Sequence, residues 1–399
     1  MATKSYFDKR VSRLDLTDDQ SWINNNEIRG FCAMFHVVTV AYILSTCWLR
    51  LQQERSPLDG VFFRKMSADA GWMLVVWPLC SLYCWTAWLL QRLALAGISN
   101  ALRVLLQHLT QSFMFVVAAY MILTRDWGFT QSTFVTLLVL THFMKMHSYT
   151  VSNRNLREDW LRRPGCNCYP SNLSACNFFW FMVAPALVYQ PQYPTRPFRP
   201  VYFCMKLLQL VLYLAMLYVL TSELIYPLVQ QAGRLAFLEL LVRLIVPCVC
   251  LVLFLFMVIF DLILNLFAEL ASFADRDFYR DWWNASSWEE FNRKWNRPVH
   301  LFLYQYIYLE CFSRYQWSAS TSRFVTFLFS AVCHEMVMAL VCRIVRPYLL
   351  ALMMFQLPLM IVCKPMSQSK AGLYMCWFGI AVGPPLLITL YAKASTSLV

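Results

Sequence analysis

Residues 278–300 read FYRDWWNASSWEEFNRKWNRPVH, and a strongly apolar segment beyond them carries His334 beside Glu335. The first part mixes aromatic, basic and polar residues, as a membrane surface does. The second part sets a titratable pair where lipid is expected. Ionisable groups in hydrocarbon are costly and tend to mark function. The rest of the chain reads as the shell that holds this stretch.

Working outward, hydrophobic residues fill 59% of 399 positions and charged residues 14%. A soluble domain carries about a quarter charged residues. So much apolar surface predicts an all-α, multi-pass membrane protein. A polar N-terminal tail, residues 1–30, precedes one membrane domain over 31–399. No cleavable signal is evident in the tail, so the first span is expected to do the targeting. A net charge of +12 reads as the positive-inside bias, not as nucleic-acid binding. It also suits anionic membrane lipid or a phosphate-bearing substrate. The 15 Cys are scattered through apolar runs. Cys166, Cys168 and Cys176 cluster but lack the fourth ligand and spacing of a zinc site, so no metal is expected.

Apolar segments at 31–51, 71–90, 101–123, 128–146, 200–228, 244–268, 323–342, 348–362 and 373–391 predict about nine crossings of roughly 30 Å each. The run 178–188 is too short to cross and is expected to be re-entrant or to lie flat. Leu16-Thr17-Asp18-Asp19 is expected to begin a short surface helix, and the tail is given no catalytic role. Gly383-Pro384-Pro385 predicts a kink in the last helix. Asp261, Asn265 and Glu269 recur at i, i+4 and i+8 on one helical face. That row reads either as a hydrogen-bonded seam or as a polar pathway. Basic loops at Arg154–Arg163 and Arg276–Arg297 are separated by two long spans, and both are expected to face the cytosol.

Ser286 with Glu289, or Ser287 with Glu290, has capping-box spacing. The helix that follows places Trp288, Phe291 and Trp295 on one face, like an interfacial amphipathic helix. Asn296 ends it, just before Pro298. His334 lies 11 residues beyond Arg323, about 16 Å along a helix and roughly half the hydrocarbon depth. A neutral imidazole there can take a proton from a hydroxyl. The Asn296 amide can hold a carbonyl as it becomes an oxyanion. The structural alternatives are a core histidine satisfied by a neighbour, aromatic anchoring, and Glu335 as a packing partner. No glycine-rich phosphate loop and no HExxH compete with this set. Two sequons start at Asn172 and Asn284. The second lies in the expected cytosolic loop.

At these residues the chain resembles the membrane-bound O-acyltransferase family, in the branch of sterol and diacylglycerol O-acyltransferases. FYRDWWN matches that branch's FYxDWWN motif. WNRPVH, residues 295–300, resembles the segment with the family's active-site Asn, here Asn296. VCHE, residues 332–335, resembles the segment with its catalytic His, here His334. MKMHSY, residues 144–149, and residues 185–199 resemble segments of the sterol branch. The order Pro194-Thr195-Arg196 departs from that branch's usual Pro-Arg-Thr, which leaves the role of Arg196 open. Residues 1–100 match by hydropathy alone.

The resemblance implies that long-chain acyl-CoA enters as co-substrate from the cytosol and a lipid hydroxyl enters from the bilayer. No further cofactor is implied. His334 would act as base, Asn296 would hold the oxyanion, and Glu335 would orient the site. Phe278, Tyr279, Asp281, Trp282, Trp283, Asn284 and Trp295 would shape the acyl-CoA end. A homodimer or higher homo-oligomer in the endoplasmic reticulum membrane is also implied. Sterol is the expected acceptor and diacylglycerol the alternative. A lipid or ion transporter, or a lipid-binding pseudo-enzyme, would be readings of a different class.

Overall fold

A computed structural model describes residues 6–25, 29–53 and 61–396. Residues 1–5 and 26–28 of the tail, and 54–60 of the loop between the first two apolar segments, lie outside the described residues. Helices carry the fold. Among the described residues the only β-pairings are isolated bridges, Arg10 with Asp275 and Thr195 with Phe273.

Seven helices there are long and apolar enough to cross a membrane: Arg29–Gln52, Phe62–Leu95, Asn100–Thr124, Pro200–Gln230, Phe237–Leu270, Ala319–Cys342 and Lys370–Ser395. The two remaining apolar segments behave differently. Tyr348–Val362 is apolar but only 15 residues long, about 22 Å. Phe129–Arg162 has 34 residues, about 51 Å, and its second half is polar.

The chain packs as two units. The first combines Tyr6, Lys65–Tyr193 and Pro298–Val345. Phe129–Arg162 is its spine, and the helices Ala70–Tyr83, Asn100–Thr124 and Ala319–Cys342 lean on it. Its core gathers Tyr149, Phe178, Phe181 and Tyr189, all buried. The apolar run near 178–188 forms the short helix Ala175–Val183. Lys145 closes it by donating from Nζ to the carbonyls of Phe181, Met182 and Ala184 at 2.8, 3.1 and 2.6 Å. A buried ammonium thus satisfies carbonyls that a helix end leaves open. The Asn172 sequon is built into the same interior. Its amide donates to Asn153 and Tyr189, so it is not free to carry a glycan.

The second unit combines Phe7–Arg64, Pro194–Arg297 and Arg346–Val399. Phe237–Phe256 packs along the C-terminal helix Lys370–Thr396 and against Pro200–Leu220. It then widens into a π-helical turn, Met257–Ile263, before Leu264–Leu270. The C-terminal helix runs unbroken through Gly383-Pro384-Pro385. In an apolar bundle, neighbours and local adjustment accommodate the missing N–H groups.

The N-terminal segment differs most from expectation. No helix starts at residues 16–19. The Asp15 carboxylate accepts from the Thr17 N–H at 3.0 Å and its hydroxyl at 2.5 Å, which holds the chain in a turn. Ser12, Asp15, Asp18, Ser21 and Ile23 are buried. Residues 7–25 are thus anchored in the second unit by these side chains, while Asp8, Lys9, Asp19 and Gln20 stay exposed.

Candidate active site

His334 lies in the first unit, on a helix anchored at both ends. Ser318 caps its start by accepting from the Thr321 N–H at 3.0 Å. Arg343 ends it in the left-handed conformation, φ 55°. The Arg343 guanidinium donates to the carbonyls of Ile122 and Trp127 at 3.0 and 2.8 Å and pairs with Asp126. The helix packs on Phe129–Arg162 and on the π-helical turn Tyr304–Tyr308. The His334 side chain is exposed, and its Nδ1 is 2.7 Å from the Ser330 carbonyl oxygen.

A carbonyl can only accept, so Nδ1 carries a ring proton, and in the neutral ring the lone pair is on Nε2. His36 and His142 repeat this geometry, with Nδ1 at 2.7 Å from Cys32 O and 2.8 Å from Leu138 O. In both of those, Nε2 is occupied, by the Tyr213 hydroxyl at 2.9 Å and the Ser81 hydroxyl at 3.0 Å. Among the described residues, His334 is the one of the three whose Nε2 has no hydrogen-bond partner. Chemically, that nitrogen is a base waiting for a donor. Glu335 is partly buried and lies about 100° further round the helix. The Ser330 carbonyl, not the Glu335 carboxylate, fixes the tautomer.

Beneath this helix the 144–149 segment works as scaffold. Ser148 donates to the Tyr306 hydroxyl at 2.9 Å and accepts from the Tyr189 N–H at 2.6 Å. Ser152 shares the same Tyr306 hydroxyl at 2.8 Å. His147 stacks on Phe143 and meets Phe302 and Tyr306 edge-on.

Asn296 and the aromatic loop lie in the second unit. Two backbone bonds stitch the motifs together. Arg280 N–H donates to Lys294 O at 2.8 Å, and Arg297 N–H donates to Phe278 O at 3.1 Å. Trp282 is the hub, with ring centroids of Trp295 at 4.7 Å, Phe256 at 5.0 Å and Phe291 at 5.9 Å. Phe278, Tyr279 and Trp282 are buried, so they support the surface instead of forming it. Asp281, Trp283 and Trp295 are partly exposed and Asn284 is exposed. Asp281 pairs with Lys294 at 3.3 Å. Asn296 is partly buried at the end of helix Trp288–Trp295. Pro298 sits in the first turn of the next helix, Arg297–Leu303, where its missing N–H is harmless.

The cap resolves in favour of Ser287, which accepts from the Glu290 N–H at 3.2 Å. Glu290 reaches back to the Ser286 N–H at 2.9 Å. The expected membrane-facing aromatic stripe turns inward instead. Trp288 is buried, and a Cβ at Gly379 would come within 2.2 Å of its indole. A Cβ at Gly372 would come within 2.3 Å of the Ser286 carbonyl. Trp377 Nε1 donates to Trp283 O at 3.0 Å. These three residues of the last helix form the bed of the aromatic loop. Sequence reasoning missed them. The available signal was small residues seven apart on one helix, flanking a tryptophan.

The polar row is a seam. Asp261 accepts from Lys206 at 2.7 Å and from the Tyr279 hydroxyl at 3.1 Å. Asn265 donates to Ser12 at 2.9 Å. Glu269 pairs with Arg199 at 3.2 Å and with Arg276. All three are buried and bonded within the protein, as a hydrogen-bonded seam requires. The neighbouring basic loop is likewise neutralised within the protein. Arg297 pairs with Asp277 at 2.9 Å and Lys294 with Glu290 at 2.7 Å.

Residues 61–393 match the model of MBOAT, the membrane-bound O-acyltransferase family. The chain belongs to that family. It is 28% identical over 96% of its length to a protein named probable sterol O-acyltransferase 1 from Schizosaccharomyces pombe, and it covers 85% of that relative. It is 34% identical to sterol O-acyltransferase 2 of Saccharomyces cerevisiae over 56% of this chain, which spans 37% of that longer protein. It is 30% identical to diacylglycerol O-acyltransferase 1A of Glycine max over 79% of this chain and 68% of the relative. As a membrane-bound O-acyltransferase, the chain carries its open imidazole in one unit and its aromatic loop with Asn296 in the other.

Proposed function

We propose that this O-acyltransferase moves a long-chain acyl group from acyl-CoA to the hydroxyl of a sterol, giving a steryl ester and free CoA. His334 Nε2 takes the hydroxyl proton as the sterol oxygen attacks the thioester carbonyl. The tetrahedral oxyanion collapses with cleavage of the C–S bond. The CoA thiolate recovers a proton from the imidazolium. The resemblance of WNRPVH to the family's segment assigns the oxyanion-donor role to the Asn296 amide, and a donor in that role lowers the barrier by about 3–4 kcal/mol in comparable chemistry. Asp281, Trp283, Asn284 and Trp295 form the accessible face that receives acyl-CoA, on a bed of Phe278, Tyr279 and Trp282. Glu335 adjusts the site beside a ring already oriented by Ser330. Acyl-CoA is a co-substrate, and the reaction needs no metal.

The observation that carries this reading is the single unoccupied Nε2 among three histidines of identical ring geometry. A base within an apolar segment also favours transfer to an alcohol over hydrolysis, because water is scarce there. Sterol is preferred as acceptor because sterol O-acyltransferases are among the relatives matched over most of this chain. The long match to the soybean relative supports diacylglycerol as the second reading. An endoplasmic reticulum location and a homo-oligomeric state are part of the same proposal.

Microsomes or purified protein supplied with labelled acyl-CoA and either acceptor decide between them. Steryl ester is the expected product. Label appearing in triacylglycerol alone would replace the sterol reading with the second one.

A further inference from the structure

We propose that residues 7–25 are a strap that sets the conformation of the FYRDWWN loop, with Asp15 and Lys206 as positioning residues for Tyr279. The proposal rests on the reading of that loop as the acyl-CoA face. All of the groups involved lie in the second unit.

The strap is bonded along its length to the residues that lead into the loop. Arg10 N–H donates to Ala274 O at 3.2 Å, and Arg276 N–H donates back to Arg10 O at 2.9 Å. The Arg10 guanidinium spans Asp275 at 2.5 Å and Asp277 at 2.9 Å. Ser12 Oγ donates to Arg276 O at 3.2 Å. Two residues further along the strap, strap and loop meet at the Tyr279 hydroxyl. Tyr279 accepts from the Leu14 N–H at 3.1 Å and donates to Asp261 Oδ1 at 3.1 Å. Asp261 is held by Lys206 at 2.7 Å, and the same ammonium holds Asp15 of the strap at 2.9 Å. Tyr202 donates to the other Asp15 oxygen at 2.5 Å.

Charge explains why the strap belongs there. Lys206, Arg196, Arg199 and Arg276 face Asp15, Asp18, Asp261 and Glu269, four cations against four carboxylates. Half of the carboxylates come from the strap. Without them the set would carry two excess positive charges in surroundings where an unpaired ion is strongly disfavoured. The strap therefore completes the network that fixes Tyr279, the second residue of the loop's motif.

The test uses the full-length protein in detergent or nanodiscs, with Asp15→Asn, Tyr279→Phe and the exposed-site control Gln20→Ala. Asp15→Asn keeps the shape of the side chain and leaves Lys206 and Asp261 as a matched pair. Tyr279→Phe keeps the ring and removes only the hydroxyl. Hydrogen–deuterium exchange is read on peptides covering 278–284 and 294–297, with the Ala319–Cys342 helix as internal reference. KM is measured separately for acyl-CoA and for sterol.

Both variants are expected to raise exchange in the loop peptides several-fold, with the reference helix and Gln20→Ala unchanged. KM for acyl-CoA should rise several-fold while KM for sterol holds. A purely structural loss would lower the amount of active enzyme and leave both KM values alone. Loop exchange equal to that of the unmodified protein in both variants, or an equal rise in the reference helix, overturns the strap. If Asp15→Asn does not fold, Tyr279→Phe decides alone. Failure of the unmodified protein to esterify sterol would sink the acceptor reading, and the exchange data would still judge the strap.

Discussion

The helix around His334 and the loop around Trp282 treat their most conspicuous residues in opposite ways. The helix leaves its imidazole exposed, spends a backbone carbonyl on Nδ1 and presents Nε2 without a partner. The loop buries Phe278, Tyr279 and Trp282 and engages the Tyr279 hydroxyl from two sides. Reactivity requires an unsatisfied atom, whereas a binding surface requires a rigid support. A residue can therefore belong to a functional motif without touching a substrate. The motif's working face is the smaller set that stays accessible.

The comparison breaks most visibly at His334. Replacing it with Ala or Gln should lower kcat by about 10²–10⁴-fold, the span of general-base catalysis, with the protein still folded by thermal melt. Unchanged turnover in a well-expressed variant would remove the imidazole from the chemistry. Next comes the bed of the loop. Gly379→Ala places a Cβ against the Trp288 indole at 2.2 Å, and overpacking of this kind costs about 1–3 kcal/mol. Its melting temperature should fall by several degrees, and a melt identical to the parent would show that the last helix does not seat the loop.

Trp283 and Trp282 sharpen the contrast within the motif itself. Trp283→Ala should raise KM for acyl-CoA several-fold with little loss of stability. Trp282→Phe should do the reverse only weakly, since the indole Nε1 has no hydrogen-bond partner to lose. If both act on KM alike, the division into face and support is wrong. Glu335→Gln should reduce kcat less than tenfold, because Ser330 already orients the ring, and the general-base range starts well above that. A loss matching that of the His334 variants would give the carboxylate the larger part.

The smallest effect concerns acid. Burial acts to raise the Asp18 pKa, but hydrogen bonds from Arg199 and the Gln20 N–H, with the charge of Arg196, hold it below the ordinary carboxylate value. A carboxylate with a depressed folded pKa stabilises the fold fully above its unfolded value of about 4 and loses that contribution as pH falls through the depressed one. Melting temperature should therefore decline below about pH 4, and Asp18→Asn should flatten that acid limb. An unaltered limb would mean that the Arg196–Asp18–Arg199 cluster contributes nothing to stability.

Much of this was readable in advance. The mass of apolar residues requires lipid around the chain, and the period of the hydrophobic runs requires helices. His334 stands out because a titratable group in such a run is expensive wherever it points. Ser286-Ser287 followed by Glu289-Glu290 announces a helix start through local hydrogen bonding, which needs no partner from afar, although the choice of Ser287 as the cap came from the structure. These statements depend on composition and on neighbours within a turn or two, so the sequence contains them whole.

Tertiary packing decided the rest. Whether a histidine's Nε2 is taken by Ser81, by Tyr213 or by nothing depends on residues scores of positions away. The aromatic stripe of Trp288, Phe291 and Trp295 suits lipid or protein equally, and only the contacts of Gly379 with Trp288 and of Trp282 with Phe291 and Trp295 show that protein covers it. The polar tail reads as solvent-exposed because it is charged, yet its buried carboxylates Asp15 and Asp18 pair with Lys206, Arg196 and Arg199, up to 191 positions further along. A single sequence shows each charge and never its partner, and pairing is what allows a charge to be buried.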